Sequence, residues 1–182
     1  AEGVCTSGGA EANNTALKGV VGASGVARPH LVVSAVEHPA IVEPCRHLER
    51  HGAEVTYVPV DGTGLVDPDD VARAVRPETV LVSVMHANNE VGTIEPIAEI
   101  SRVAREAGVL VHTDAAQSVG KVPTRVDDLG VDLLSVAAHK FYGPKGVGAL
   151  YVRAGTRLES LMHGAGHESG RRAGTENVLL DV

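Results

Sequence analysis

Short apolar segments alternate with predicted helices along almost the whole chain. The predicted strands, which end at glycine, proline or polar residues, are residues 3–6, 30–34, 54–58, 79–85, 109–111, 131–138 and 148–152. The predicted helices between them are residues 10–21, 40–51, 68–75 and 96–107. This alternation favours an α/β fold, a mostly parallel sheet with helices on both faces. Ligands of such sheets bind outside the carboxyl ends of the strands.

The length and composition limit the classes of protein to which this chain can belong. A chain of 182 residues is enough for one domain, and 43% hydrophobic with 21% charged residues is an ordinary globular balance. The net charge is -7 without a cluster of basic residues, so no nucleic acid and no membrane surface is expected, and a small molecule is the expected partner. Residues 1–3 lack the basic start of a signal peptide, so a cytoplasmic location is expected.

Polar side chains without an obvious packing role follow several of the predicted strands. These residues are His38, Asn89, Asp114, Gln117, His139 and Lys140. Any one of them alone is commonly a capping residue or a hydrogen-bonded structural residue. Because the carboxyl ends of parallel strands share one edge of the sheet, the whole set predicts a single binding site there.

Lys140 ends an apolar run, and the chain then breaks at Gly143 and Pro144 before the next strand. We expect this lysine to lie partly desolvated at a strand-loop junction. A partly desolvated lysine loses its proton more readily and becomes a nucleophile able to form a Schiff base. The alternative is a lysine that only extends from a strand end into solvent.

The turn at residues 7–9, Ser-Gly-Gly, joins the first strand to the first helix. Glycines let the backbone approach an anion, and the free N–H groups of a first helical turn attract one. The turn is therefore a candidate phosphate cradle, while the alternative is an ordinary tight turn with Ser7 as the helix cap.

Pyridoxal phosphate needs an imine-forming lysine, an anion cradle, a carboxylate for its ring nitrogen and a donor to its phenolic oxygen. The candidates are, in that order, Lys140, the turn at residues 7–9, Asp114, and Asn89 or Gln117. Asp114 leaves a buried strand, where a carboxylate is expected to need a cationic partner. His38 offers a flat ring for stacking and can move a proton near neutral pH.

Six motifs carry a family resemblance, and together they extend over nearly the whole chain. They are TSGGAEAN at 6–13, EHPA at 37–40, NNEVG at 88–92, HTDAAQS at 112–118, AHKFYGPKG at 138–146 and RAGTEN at 172–177. In this order they resemble the cysteine desulfurases, class V aminotransferase enzymes of the NifS and IscS type. The resemblance implies a homodimer of fold type I with pyridoxal phosphate as cofactor. It also implies an enzyme that takes sulfur from L-cysteine, leaves alanine and passes the sulfur to an acceptor scaffold protein for iron-sulfur clusters and thiolated molecules.

The resemblance also implies a role for each matching residue. Lys140 would form the Schiff base and His38 would be the stacking acid-base residue, so these two are the expected catalytic residues. The expected cofactor-binding residues are Gly9, Ala10, His38, Asn89, Asp114, Gln117, Ala137, His139, Lys140 and, toward the partner subunit's phosphate, Thr175. No metal ligand is expected.

Two positions depart from the family pattern. Ala10 stands where the family commonly has a threonine, and Ala137 where it commonly has a serine. Each hydroxyl bond to phosphate is worth roughly 1.5–3 kcal/mol, so weaker cofactor binding is expected unless backbone N–H groups and Thr175 compensate.

The persulfide-forming cysteine of the family lies on a loop beyond the segment matched at 172–177. Neither Cys5 nor Cys45 matches it, and both are expected to be buried thiols because they lack metal-ligand spacing. We therefore expect residues 1–182 to be the large cofactor-binding domain without the amino-terminal segment or the small carboxy-terminal domain, and to be inactive by itself.

Three alternatives remain at the level of sequence. Selenocysteine lyase shares the fold, cofactor and lysine, and also lacks the serine before the lysine. A truncated, non-catalytic scaffold of the same fold would explain Ala10 and Ala137. A metal hydrolase using His86, His112 and Asp114 explains fewer of the motifs.

Overall fold

The computed structural model describes residues 3–175 and 177, and within these residues the strands form one seven-stranded sheet. The strands are β1 (Gly3–Thr6), β2 (His30–Ser34), β3 (Glu54–Val58), β4 (Thr79–Ser83), β5 (Leu110–Asp114), β6 (Leu133–Ala137) and β7 (Gly148–Val152). Their order across the sheet is β1-β7-β6-β5-β4-β2-β3. Five neighbouring strands, in the sheet order β3, β2, β4, β5 and β6, pair in parallel. Strand β7 pairs antiparallel with both β6 and β1. The predicted mostly parallel sheet is confirmed.

Helices cover both faces of this sheet, as the sequence predicted. They are α1 (Gly9–Ala23), α2 (Pro39–Arg50), α3 (Pro68–Ala74), α4 (Ile97–Glu106) and α5 (Val126–Leu129). Strand β2 shows how one segment serves two layers, because successive side chains of a strand point to opposite faces. Leu31 and Val33 pack with α1 and α2, whereas Val32 packs with α3 and α4. Within the described part of the chain, no helix is long and apolar enough to span a membrane.

Strand β5 is longer than the predicted strand 109–111, because polar residues continue it. The His112 ring bonds at 2.9 Å through each nitrogen to the hydroxyls of Ser83 on β4 and Ser135 on β6. The Thr113 hydroxyl donates to the Val84 carbonyl at 2.7 Å. Since these polar groups are satisfied inside the sheet, the strand runs on to Asp114 and delivers its carboxylate to the strand's carboxyl end.

Glycines bring the start of α1 against the ends of β6 and β7. A Cβ on Gly148 would lie 2.6 Å from the Gly8 backbone, and Gly8 itself has a φ of 147°. A side chain at Gly148 would push the start of the helix away from the sheet, whereas a side chain at Gly8 would strain the backbone, because that φ favours glycine. Ser7 does not act as a side-chain cap, since Gly8 is the N-cap residue and no side chain caps the helix.

Candidate active site

A cavity of about 270 Å³ lies at the carboxyl ends of β4, β5 and β6, beside the start of α1. The structure brings every predicted site residue to this cavity except Thr175. Those lining it are Gly9, Ala10, His38, Asn89, Asp114, Gln117, Ala137, His139 and Lys140. Residues that the sequence reasoning missed complete the lining, namely Asn13, Ala40, Met85, Ala87 and Ala116.

Asp114 is buried at the end of β5 and is held by neutral donors. Its Oδ2 accepts from Asn13 Nδ2 at 2.7 Å, and its Oδ1 accepts from the Ala116 backbone N–H at 2.9 Å. The expected cationic partner, the cofactor's ring nitrogen, therefore stays a prediction. Hydrogen bonds from neutral donors can stabilise a buried carboxylate without cancelling its charge.

Lys140 lies beyond the end of its strand. Strand β6 stops at Ala137, and a short 3-10 helix, Ala138–Lys140, carries the lysine clear of the buried layer. Lys140 and His139 are consequently exposed while still lining the cavity. The expected partial burial of Lys140 was wrong, because the predicted strand was extended by one residue into this turn.

His38 has a structural role as well as a place in the cavity. Its Nδ1 accepts from the Ala40 backbone N–H at 3.0 Å, which makes it the N-cap of α2. Because the backbone N–H must be the donor, the neutral imidazole carries its proton on Nε2. His38 therefore both caps α2 and lines the cavity.

The two asparagines after β4 have different tasks. Asn88 is buried, its Oδ1 accepts from the backbone N–H of Glu90 and of Val91, and its Nδ2 donates to the Val36 carbonyl at 3.1 Å. These bonds shape the loop, and exposed Asn89 lines the cavity.

Gln117 is half-buried on the cavity wall after β5. Its Oε1 accepts from Lys121 Nζ at 3.1 Å. Because that bond uses the carbonyl oxygen, the amide nitrogen is the group available to donate to a ligand.

The start of α1 has the geometry of an anion cradle. A Cβ on Gly9 would lie 3.2 Å from Ala137 Cβ, so the first turn packs closely on the end of β6. The free N–H groups of that turn favour an anionic ligand.

Glu11 ties a later segment of the chain to this cradle. Its carboxylate accepts from the Ser7 backbone N–H at 2.8 Å and from Arg172 Nε at 2.7 Å. Burial alone would raise the pKa of Glu11, but the hydrogen bonds from Arg172 and Ser7 outweigh it and hold the pKa below its usual range. Thr175 follows Arg172 closely, is exposed and lies outside the cavity lining, so its role at a partner subunit stays a prediction.

Neither cysteine lines the cavity. Cys45 is buried on α2, where burial, followed by the charges of Glu37 and Glu49, raises the pKa of its thiol to about 12. Cys5 is half-buried in β1, which is less than the expected full burial. A thiol must ionise to act as a nucleophile, so Cys45 does not suit that role.

The alternative of a metal hydrolase finds no geometric support in residues 3–175 and 177. No group of three histidine, cysteine or acidic residues there could hold a metal ion. Burial lowers the pKa of His112 to about 3, and both of its ring nitrogens already bond to serine hydroxyls.

The residues present fit pyridoxal phosphate. The start of α1 supplies an anion cradle, and Lys140 supplies an amine. Buried Asp114 supplies a carboxylate whose oxygens, although each accepts one hydrogen bond, can accept another from the cofactor. Around a mostly parallel sheet, this combination defines the fold type I class of pyridoxal phosphate proteins.

The chain belongs to the aminotransferase class-V family, whose model matches residues 1–179. It is 58% identical over 175 residues to the cysteine desulfurase IscS of Dictyoglomus turgidum, covering 96% of this chain and 44% of that protein. It is 50% identical over 173 residues to IscS of Methanosarcina thermophila, covering 95% of this chain and 43% of that protein. The chain thus spans less than half the length of these curated relatives.

Solved structures agree with the sequence matches. A structure of SspA in complex with cysteine superposes with a TM-score of 0.95 at 44% identity, covering 98% of this chain and 52% of that chain. DndA from Streptomyces lividans superposes with a TM-score of 0.90 at 41% identity, covering 98% of this chain and 52% of that chain. Members of the family depend on pyridoxal phosphate, in agreement with the fit of the cavity.

Proposed function

We propose that the full-length protein is a pyridoxal phosphate-dependent cysteine desulfurase, which converts L-cysteine to L-alanine and retains the sulfur as an enzyme persulfide. The observation that carries the proposal is the placement of Lys140, Asp114 and His38 on one cavity. It is supported by the 58% identity to a cysteine desulfurase.

Each cavity residue has a task in this proposal. Lys140 would hold the cofactor covalently, the first turn of α1 would bind its phosphate, and Asp114 would keep its ring nitrogen protonated. When bound, the cofactor supplies an electron sink for negative charge at the substrate's α-carbon. Asn89 and Gln117 would donate to the phenolic oxygen. Because Nδ1 accepts from the Ala40 N–H, Nε2 is the ring nitrogen through which His38 would exchange a proton with a ligand.

The sulfur itself must go to a thiol outside the cavity described here. Cys45 is unsuited because its thiol does not ionise near neutral pH. A persulfide cysteine elsewhere in the full-length protein is therefore part of the proposal. So are a homodimer, a cytoplasmic location and a sulfur-acceptor scaffold protein for iron-sulfur cluster assembly.

Reduction of the cofactor-loaded full-length protein with borohydride tests the proposed function. We expect the cofactor to be fixed to Lys140, as measured by mass spectrometry of the digested protein. Lys140→Arg should abolish the labelling and the release of alanine from cysteine. Lys145→Arg is the matched control, since Lys145 belongs to the same motif but does not line the cavity. Labelling of Lys145, or of no lysine, would contradict the assignment.

The same preparation separates the alternative functions. A selenocysteine lyase would release selenide from selenocysteine while leaving cysteine nearly untouched. A non-catalytic scaffold would bind no cofactor and show no labelled lysine.

Two substitutions of His38 separate its capping role from its role in the cavity. His38→Ala should lower the free energy of unfolding by about 1 kcal/mol, because the Ala40 N–H loses its acceptor. His38→Asn keeps a good capping group, so its stability should be near that of the wild type. Both variants should lose turnover by roughly 10²–10⁴-fold, the usual contribution of a positioned acid or base. Wild-type turnover in His38→Asn would show that His38 is only a cap.

A further inference from the structure

Asn13 is a buried polar residue of α1 that also lines the cavity. It is 1% exposed, and apart from Thr15 the other buried residues of α1 are apolar or glycine, among them Ala12, Ala16 and Leu17. Its Nδ2 donates to Asp114 Oδ2 at 2.7 Å, across 101 positions of sequence. Its Oδ1 is buried and has no hydrogen-bond partner among the described residues.

Packing alone does not explain an amide at this position. A buried amide oxygen without a partner is destabilising, and an apolar side chain would avoid that loss. The only bond that the Asn13 side chain makes within the described residues goes to Asp114. The amide therefore serves the carboxylate rather than the core.

The kind of donor matters for a carboxylate that must face a cationic ring nitrogen. An arginine or lysine in place of Asn13 would pair with Asp114 and cancel much of its charge. A neutral amide instead favours the ionised carboxylate and leaves its charge to act on a ligand. The Ala116 backbone N–H, which donates to Oδ1, is also a neutral donor and also leaves the charge of the carboxylate in place.

We propose that Asn13 is a positioning residue that, by donating to Oδ2, holds the Asp114 carboxylate in one orientation toward the cofactor's ring nitrogen. This inference rests on the proposed function in one respect, the presence of pyridoxal phosphate in the cavity. The titratable groups around the Asp114 carboxylate are Glu37 from the loop before α2 and the cavity residues His38, His139 and Lys140.

The test compares Asn13→Asp and Asn13→Ala in the full-length protein, by the dissociation constant and absorption spectrum of pyridoxal phosphate between pH 6 and about pH 9. In Asn13→Asp, two carboxyl groups in hydrogen-bond contact share one proton, and the protonated partner can donate as the amide did. We expect near wild-type binding at the low end of this range and roughly tenfold weaker binding at the high end, where that proton is lost. Asn13→Ala, without a donor, should bind roughly tenfold more weakly throughout.

Asn14→Asp is the matched control. It adds the same charge to the next residue of α1, whose side chain bonds only to the Ala10 carbonyl of its own helix among the described contacts. We expect cofactor binding within about twofold of the wild type at every pH. Unfolding of the cofactor-free variants in denaturant verifies that each one folds.

The outcomes separate this inference from the proposed function. If the wild type binds the cofactor and both Asn13 variants bind it equally well across the pH range, Asn13 has no positioning role. The same holds if weaker binding in Asn13→Asp is independent of pH. If the wild type binds no pyridoxal phosphate, the proposed function and this inference both fall.

Discussion

Replacing Asp114 with asparagine is expected to lower turnover of the cofactor-loaded full-length protein by about 100- to 1,000-fold, the usual loss when a preorganised electrostatic group is removed. A neutral amide does not hold the cofactor's ring nitrogen in its protonated form, so negative charge on the substrate is less well stabilised. The measurement is the rate of alanine formation from cysteine at saturating substrate.

The fold should survive this substitution because the surrounding donors can adjust. Asn13 has an unpaired Oδ1, and rotation of its amide would let that oxygen accept from the new amide nitrogen. The Ala116 N–H keeps an oxygen acceptor. Asp128→Asn, an exposed carboxylate on α5, is the control and should leave turnover unchanged. Wild-type turnover in Asp114→Asn would contradict the role of this carboxylate.

The sheet and the place of the site could be predicted from sequence because both follow local rules. Apolar runs of strand length and glycine-ended helices recur in regular alternation, which leaves few topologies open. Polar residues at the end of those strands or in the following loop, such as Asp114 and His38, must then meet at one edge of the sheet.

The features of the fold and the site that the sequence did not indicate depend mostly on contacts between distant segments. Asn13 reads as an ordinary helical residue until Asp114, 101 positions away, is seen to accept its N–H. Its one local signal was an amide among the apolar residues of α1. The exposure of Lys140 was missed because a short 3-10 helix looks like the last residues of a strand. Strand β5 was cut short because His112 finds its serine partners on two other strands.

Glu37 is a second residue whose character only the fold reveals. It is buried beside the cavity, and its Oε1 accepts from the Ser34 hydroxyl and the Met85 backbone N–H, both at 2.6 Å. Its Oε2 has no partner among the described residues. Burial above all, with smaller effects from the charges of Asp114 and Glu95, raises the pKa of Glu37 from 4.5 to about 8 despite those two hydrogen bonds.

A carboxyl group with a raised pKa makes stability depend on pH in a definite direction. Below pH 4.5 Glu37 is protonated in both the folded and the unfolded chain, so it contributes no penalty. As the pH rises from 4.5 to about 8, the unfolded chain ionises while the folded protein does not, and the free energy of unfolding falls. At about 1.4 kcal/mol for each pH unit, that interval corresponds to a loss of about 5 kcal/mol.

Glu37→Gln should remove this loss, because glutamine keeps the oxygen that accepts from Ser34 and Met85 but does not ionise. We expect the full-length variant to resist denaturant about as well as the wild type near pH 5 and to be several kcal/mol more stable near pH 9. Glu43→Gln, an exposed glutamate on α2 paired with Arg46, is the control and should change stability by less than about 0.5 kcal/mol at either pH. The ionisable groups that interact with Glu37, namely Cys45, Asp114 and Glu95, are the same in both proteins, so comparing the variant with the wild type isolates Glu37. A difference in stability that is the same at both pH values would mean that Glu37 is already ionised in the folded protein, and that its buried carboxylate is stabilised by something other than these two hydrogen bonds.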